Sequence, residues 1–116
     1  MMIFRKRIIG IAFLFTLSAS SDCLASTVYG PGAISCGMFL EHFHESQDGN
    51  PVDGLLYLGD GDWILGYLSA KSGAGNLEET DSNGVNQWIL NYCQTHPLKR
   101  LNDAANALVK ELKIKQ

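Results

Sequence analysis

Residues 81–98, DSNGVNQWILNYCQTHPL, carry the clearest structural signal in the chain. Asp81 is well placed to cap a helix N-terminus, and helical geometry is disfavoured at His96 because Pro97 follows it. The apolar side chains between these limits recur at helical spacing and form one stripe: Val85, Trp88, Ile89, Tyr92 and Cys93. The stretch therefore predicts an amphipathic helix with one buried face.

Two further amphipathic helices are predicted, one earlier in the sequence than this stretch and one directly after it. Ser35 can cap a first helix, and the fourth helix is predicted from Pro97 or Leu98 to Lys113. The first helix has an apolar stripe of Cys36, Phe39, Leu40 and Phe43, and the fourth has one of Leu101, Ala104, Ala105, Leu108 and Leu112.

The second helix is less clearly defined. Gly59-Asp60-Gly61 interrupts an apolar segment, so residues from Asp53 onward predict either one kinked helix or two pieces, the second capped by Asp62. Gly66 is predicted to let another backbone come close. Residues 46–54 and 71–80 are predicted loops, and residues 26–33 an extended or loose lead-in. The fold class is therefore all-α: a small four-helix domain over residues 34–116.

The first 25 residues have the order of an export signal. Three cations, Arg5, Lys6 and Arg7, precede the ten-residue apolar run 8–17, and small and polar residues follow. A ten-residue helix rises only ~15 Å, about half a bilayer core. The segment predicts a Sec-type signal peptide cleaved after Ala25, with cleavage after Ser20 as an alternative and lipidation of Cys23 disfavoured. No membrane anchor is expected after cleavage, and the periplasm is the expected compartment.

Cleavage after Ala25 removes Cys23 and leaves two cysteines, Cys36 and Cys93. An exported protein with two cysteines most often joins them. Both lie on apolar stripes, so a disulfide would join the first helix to the third through the core. The loop it closes makes the bond worth roughly 4 kcal/mol in the chain-entropy model.

The charge of the processed chain limits its partners. Six cations and eleven carboxylates remain after Ala25, which gives a net charge of −5. This charge disfavours nucleic acid and anionic membranes as partners.

No residue pattern indicates catalysis, a metal or a cofactor. His42 and His44 point ~200° apart on a helix, so they are predicted to be solvated rather than to share a metal. The calcium-loop pattern fails in residues 48–54 because Val52 stands where an oxygen ligand is needed. Glu78-Glu79 is predicted to lie in a solvated turn. We expect no enzyme activity, no catalytic residue, no metal site and no cofactor.

The aromatic side chains are the remaining candidates for a functional surface. Trp63, Tyr67 and Trp88 could bind a partner, and with Tyr92 they show i, i+4 spacing on two helices. Such spacing fits core packing at least as well as a binding surface. Both interpretations stay open at the level of sequence.

Four motifs together resemble small exported proteins of proteobacteria, the HdeA family of periplasmic acid-stress chaperones. They are Ser35-Cys36-x-x-Phe39-Leu40, Trp63-Ile64-Leu65-Gly66-Tyr67-Leu68-Ser69, Trp88-x-x-x-Tyr92-Cys93-x-x-x-Pro97-Leu98, and Ala104-Ala105 with Leu108-Val109. The resemblance covers residues 34–113. It implies a four-helix fold, one disulfide, and acid-dependent binding of unfolding clients; a second copy of the chain is a further candidate partner.

The chain also resembles the small helical immunity proteins that neutralise type VI secretion amidase effectors. Those proteins too are exported, helical and disulfide-bearing. This resemblance implies that a toxin enzyme is the partner, with the acidic loops 46–54 and 71–80 filling a basic cleft. The sequence leaves the chaperone and immunity hypotheses both open.

Overall fold

The computed structural model describes residues 27–73 and 75–114, so the expected signal peptide over residues 1–25 lies outside the described residues. A short 3-10 helix precedes four α-helices, and no β-strand occurs in the described residues. The elements are the 3-10 helix Gly30–Ala33, α1 Cys36–Gln47, α2 Pro51–Ser72, α3 Ser82–Thr95 and α4 Leu101–Leu112. The predicted four-helix, all-α fold is confirmed.

The predicted caps of α1 and α3 are confirmed. Ser35 Oγ accepts a hydrogen bond from the Met38 amide at 3.1 Å, and Asp81 Oδ1 accepts one from the Gly84 amide at 2.7 Å. These bonds satisfy amides that a helix N-terminus would otherwise leave unpaired.

The start of α2 differs from the prediction. Asn50 Oδ1 accepts hydrogen bonds from the amides of Val52, at 3.0 Å, and Asp53, at 3.3 Å. Pro51 then occupies the first helical turn, where its missing N–H costs nothing. The predicted loop over residues 46–54 is therefore wrong for most of its length, because only Asp48–Asn50 separates α1 from α2.

The Gly59-Asp60-Gly61 segment does not interrupt α2, which runs as one helix of 22 residues. Asp60 and Gly61 are buried, and a Cβ at Gly61 would lie 3.5 Å from Asn86 Oδ1 of α3. Tertiary packing therefore makes these residues part of a helix face. Of the two predicted alternatives, a single helix is confirmed, whereas two pieces with an Asp62 cap are wrong. Gly66 is exposed, and a Cβ there would meet no described atom within 4 Å, so its predicted role as a contact point is also wrong.

α4 begins at Leu101, later than predicted, because the residues before it hold the start of α1. The Cys36 amide donates to the Lys99 carbonyl at 2.7 Å, and the Gly37 amide to the Pro97 carbonyl at 3.0 Å. The Leu101 amide in turn donates to the Ile34 carbonyl at 2.9 Å. Because the Pro97 and Lys99 carbonyls accept hydrogen bonds from α1, residues 97–100 do not form part of α4.

The predicted Cys36–Cys93 disulfide is confirmed and joins α1 to α3, with the two Cα atoms 4.8 Å apart. Both cysteines are fully buried in one apolar cluster to which all four helices contribute. Its members also include Phe39, Ile64, Leu68, Val85, Ile89, Leu90, Leu101, Ala104 and Leu108.

The lead-in is packed against the domain, whereas an extended or loose segment was predicted. Gly32 of the 3-10 helix is buried against the Trp63 indole, and a Cβ at Gly32 would overlap the ring. Gly30 adopts a φ of 75° and also faces Trp63. The two glycines thus let the lead-in cover one side of this tryptophan.

Gly32→Ala should lower the free energy of unfolding by about 1–3 kcal/mol, since the added methyl overlaps the indole. Gly66→Ala is the matched control in an exposed helix interior, and it should stabilise the protein by about 0.5–1 kcal/mol. Urea denaturation followed by tryptophan fluorescence measures both changes. Equal effects of the two substitutions would contradict the packing described for Gly32.

Candidate functional site

His42 and Asp60 form a buried contact between α1 and α2. His42 Nδ1 lies 2.6 Å from Asp60 Oδ2, and the side-chain exposures are 12% and 5%. The prediction that His42 is solvated is therefore wrong, whereas His44 is exposed. Because His42 and His44 point to different sides of α1, only His42 contacts α2.

Burial is the dominant influence on the Asp60 carboxyl. It raises the pKa of Asp60 above its ordinary value, although the hydrogen bond and charge of His42 act in the opposite direction. Burial and the Asp60 charge also raise the pKa of Tyr57, which lies one turn earlier on the same helix face. Asp60 is thus a buried acid that holds a proton more readily in the folded protein than in the unfolded chain.

Trp63 and Tyr67 lie together on α2. Their rings are stacked with centroids 5.3 Å apart and an interplanar angle of 18°. Tyr67 donates a hydrogen bond from its hydroxyl to Asn106 Oδ1, and the Lys71 ammonium lies 5.4 Å from its ring centroid. Both residues are half-buried, and the lead-in covers part of Trp63.

Trp88 belongs to a separate stack on α3. Its ring lies 5.5 Å from that of Tyr92, which in turn lies 4.2 Å from that of His96, with interplanar angles of 14° and 13°. Both faces of Tyr92 are therefore occupied. The structure does not join the three predicted partner-binding residues, Trp63, Tyr67 and Trp88, into one aromatic site.

A larger apolar surface lies on the first half of α2. Four aliphatic side chains are exposed there: Val52 (63%), Leu55 (73%), Leu56 (45%) and Leu58 (63%). The spacing of i, i+3 and i+4 makes them neighbours on the helix, on the sides away from Tyr57, Ile64 and Leu68. We call these four residues the α2 apolar surface. The sequence indicated this surface, because the α2 segment has more apolar residues than one buried helix face can hold. Some of these side chains must therefore be exposed to solvent.

The loop between α2 and α3 is acidic and solvated, as predicted for Glu78-Glu79. Glu78, Glu79 and Asp81 are all exposed. Two hydrogen bonds hold this loop to the end of α4, from the Glu78 amide to the Leu112 carbonyl at 2.7 Å and from the Ile114 amide to the Asn76 carbonyl at 2.9 Å. The carboxylates are therefore presented from an anchored segment.

Within residues 27–73 and 75–114, no group of three His, Cys, Asp or Glu side chains is arranged to hold a metal ion. None of the helices in this part of the chain combines the length and apolarity needed to cross a bilayer.

Comparison with known proteins found no match among family models, curated proteins or solved structures.

The Asp60 carboxyl should make stability depend on pH in a defined direction. Because its pKa is raised on folding, its titration adds stability as the pH falls toward the ordinary aspartate value. The free energy of unfolding of the unmodified protein, relative to that of Asp60→Asn, should therefore increase between pH 7 and about pH 4.5.

Urea denaturation across this pH range measures the difference. Asp62→Asn removes an exposed carboxylate two residues along α2 and corrects for the loss of one negative charge. A decrease in the relative stability as the pH falls would contradict the assignment of burial as the dominant effect on Asp60.

Proposed function

We propose that this protein is a non-catalytic periplasmic binding protein of the HdeA type, which holds unfolded segments of other proteins during acid stress. The α2 apolar surface is the observation that carries this proposal. Four exposed aliphatic side chains on one helix are an unusual concentration for so small a domain.

Unfolded polypeptide is the occupant that suits this surface best. Leu55 and Leu58 are exposed on the side of α2 that faces away from Ile64 and Leu68, and they offer aliphatic contacts without a fixed pattern of hydrogen bonds. Such contacts are non-directional, so they accept many different client sequences.

Acid would act on this domain through its total charge. Below the pKa values of the carboxylates, the six cations and three histidines of the processed chain leave a charge of about +9. Repulsion of that size loosens helix contacts and keeps a client complex soluble. The His42–Asp60 contact does not supply the trigger, because the raised pKa of Asp60 favours the folded state as the pH falls.

The acidic loop favours a second candidate, an immunity or inhibitor protein of a secreted cell-wall amidase. Glu78, Glu79 and Asp81 are exposed, and none lies within 4 Å of a described cationic side chain. These three carboxylates, of which Asp81 also caps α3, lie on an anchored loop and suit the basic cleft of an enzyme. The loop Asp48–Asn50 is too short to contribute much to such a contact.

The test of the first proposal is suppression of client aggregation at pH 2–3 and at pH 7 by the purified protein. Leu55→Ser/Leu58→Ser should weaken client binding at acid pH by about tenfold, the factor that roughly 1.4 kcal/mol of lost apolar contact produces. Leu98→Ser is a matched control, because Leu98 is 95% exposed in the turn before α4 and lies outside the α2 apolar surface. It should leave suppression unchanged.

A protein that is inert at both pH values would exclude the chaperone proposal. Equal losses in the Leu98 and Leu55/Leu58 variants would exclude the α2 apolar surface as the client site. Retention of a single stoichiometric partner from an extract, abolished by Glu78→Gln/Glu79→Gln, would support the immunity protein instead.

A further inference from the structure

Four lysines line one groove on the side of the domain formed by the end of α2, the loop that follows it, and α4. They are Lys71, Lys99, Lys110 and Lys113, and the groove has a volume of about 740 Å³. We call it the lysine groove.

The charge of this groove is opposite to that of the chain as a whole. The described residues contain five Lys and Arg side chains, and Arg100 is the only one of these that does not line the groove. No described lysine or arginine lies within 4 Å of a carboxylate oxygen. The lysines are thus available to an external anion, on a protein whose net negative charge would otherwise repel one.

One carboxylate, that of Asp103, also lines the groove. Its Oδ2 accepts a hydrogen bond from the Arg100 amide at 3.0 Å, so it caps the start of α4. Four ammonium groups against this single carboxylate leave the groove strongly positive. A ligand with several carboxylates would complement it.

The walls of the groove also offer apolar and amide groups. Leu77 and Val109 line it, together with the amide side chains of Asn76 and Asn106. Leu77 is fixed because the hydrogen bonds of its two neighbours join the loop to the end of α4. Charged, apolar and amide groups side by side fit a peptide, which carries acidic and aliphatic side chains on a polar backbone.

An acidic glycan fits less well. Recognition of a sugar ring commonly uses an open aromatic face, and the one aromatic residue that lines the groove is Tyr92. Trp88 covers one face of its ring and His96 the other. Only the edge and hydroxyl of Tyr92 remain for a ligand.

The length of the groove sets the length of the ligand. From Asp103 on α4 to Lys113, which directly follows that helix, the chain rises by about 15 Å at ~1.5 Å per residue. An extended peptide advances by about 3.3 Å per residue, so five or six residues span this distance.

We infer that the lysine groove binds an extended acidic peptide segment of a partner protein, with its carboxylates on Lys71, Lys99, Lys110 and Lys113. This site is separate from the α2 apolar surface and does not depend on the function proposed for that surface. Near neutral pH the peptide carboxylates are ionised, whereas below about pH 4 they are protonated and binding is lost. The groove therefore works under conditions opposite to those of acid-stress binding.

The probe is a fluorescein-labelled hexapeptide of four glutamates and two leucines, and binding to the purified protein is followed by fluorescence anisotropy at pH 7 in low salt. The same peptide with glutamine for glutamate is the probe control and should not bind. Lys110→Gln should weaken binding about threefold, as expected for one partly solvated ion pair. Lys71→Gln/Lys110→Gln/Lys113→Gln should weaken it roughly thirtyfold if the three contributions add.

Arg100→Gln is the matched control, because it removes one exposed cation beside the groove but not from its lining. It should change the affinity by less than about 1.5-fold, since only long-range attraction is lost. Circular dichroism confirms that each variant is folded.

Three results would overturn the assignment. They are absence of glutamate-peptide binding up to about 1 mM, equal weakening by Arg100→Gln and Lys110→Gln, and tighter binding of an oligogalacturonate than of the peptide. The last result would assign the groove to an acidic glycan. None of the three bears on client binding at the α2 apolar surface.

Discussion

The Cys36–Cys93 bond is the constraint on which the rest of the domain depends. It closes a separation of 57 residues that contains the whole of α2 and most of α3. At the same place, backbone hydrogen bonds join Cys36 to Lys99 and Leu101 to Ile34. The start of α1, the end of α3 and the start of α4 therefore meet at one covalently fixed point. A domain of this size buries a limited apolar core, so such a bond is a large part of its stability.

The disulfide helps to explain why apolar side chains of α2 are exposed to solvent. One face of α2 packs on the core through Ile64 and Leu68 and contacts α1 through Asp60, and the disulfide keeps α1 and α3 on that side. The opposite side of α2 has no other described element to cover it. The lysine groove lies elsewhere, between the end of α2 and α4. The domain thus presents an apolar surface and a cationic one on a single scaffold. The aliphatic side chains of the apolar surface do not titrate, whereas the lysines of the groove attract anions.

Much of the fold could be predicted from sequence because local signals and tertiary contacts agree there. The stripe that includes Trp88 and Cys93, the Ser35 and Asp81 caps, and the disulfide depend on spacing and cysteine number alone. The errors fall where a distant contact reverses a local preference. Gly59-Asp60-Gly61 favours a turn in isolation, but His42 and α3 make it part of a helix. With α2 taken as continuous, Tyr57, Asp60 and Ile64 share one stripe, which would have indicated a buried carboxylate in need of a partner. The lysine groove could not be predicted, since Lys71 and Lys110 meet only through the packing of α2 and α4.

The most direct test of the central claim compares urea denaturation of the oxidised and chemically reduced protein at pH 7, with Trp63 and Trp88 as fluorescence reporters. If the disulfide is the organising constraint, reduction should lower the free energy of unfolding by roughly 4 kcal/mol. The 3-10 helix should then separate from Trp63 early in the transition. A reduced protein within about 1 kcal/mol of the oxidised one would contradict the claim and show that helix packing alone holds the domain.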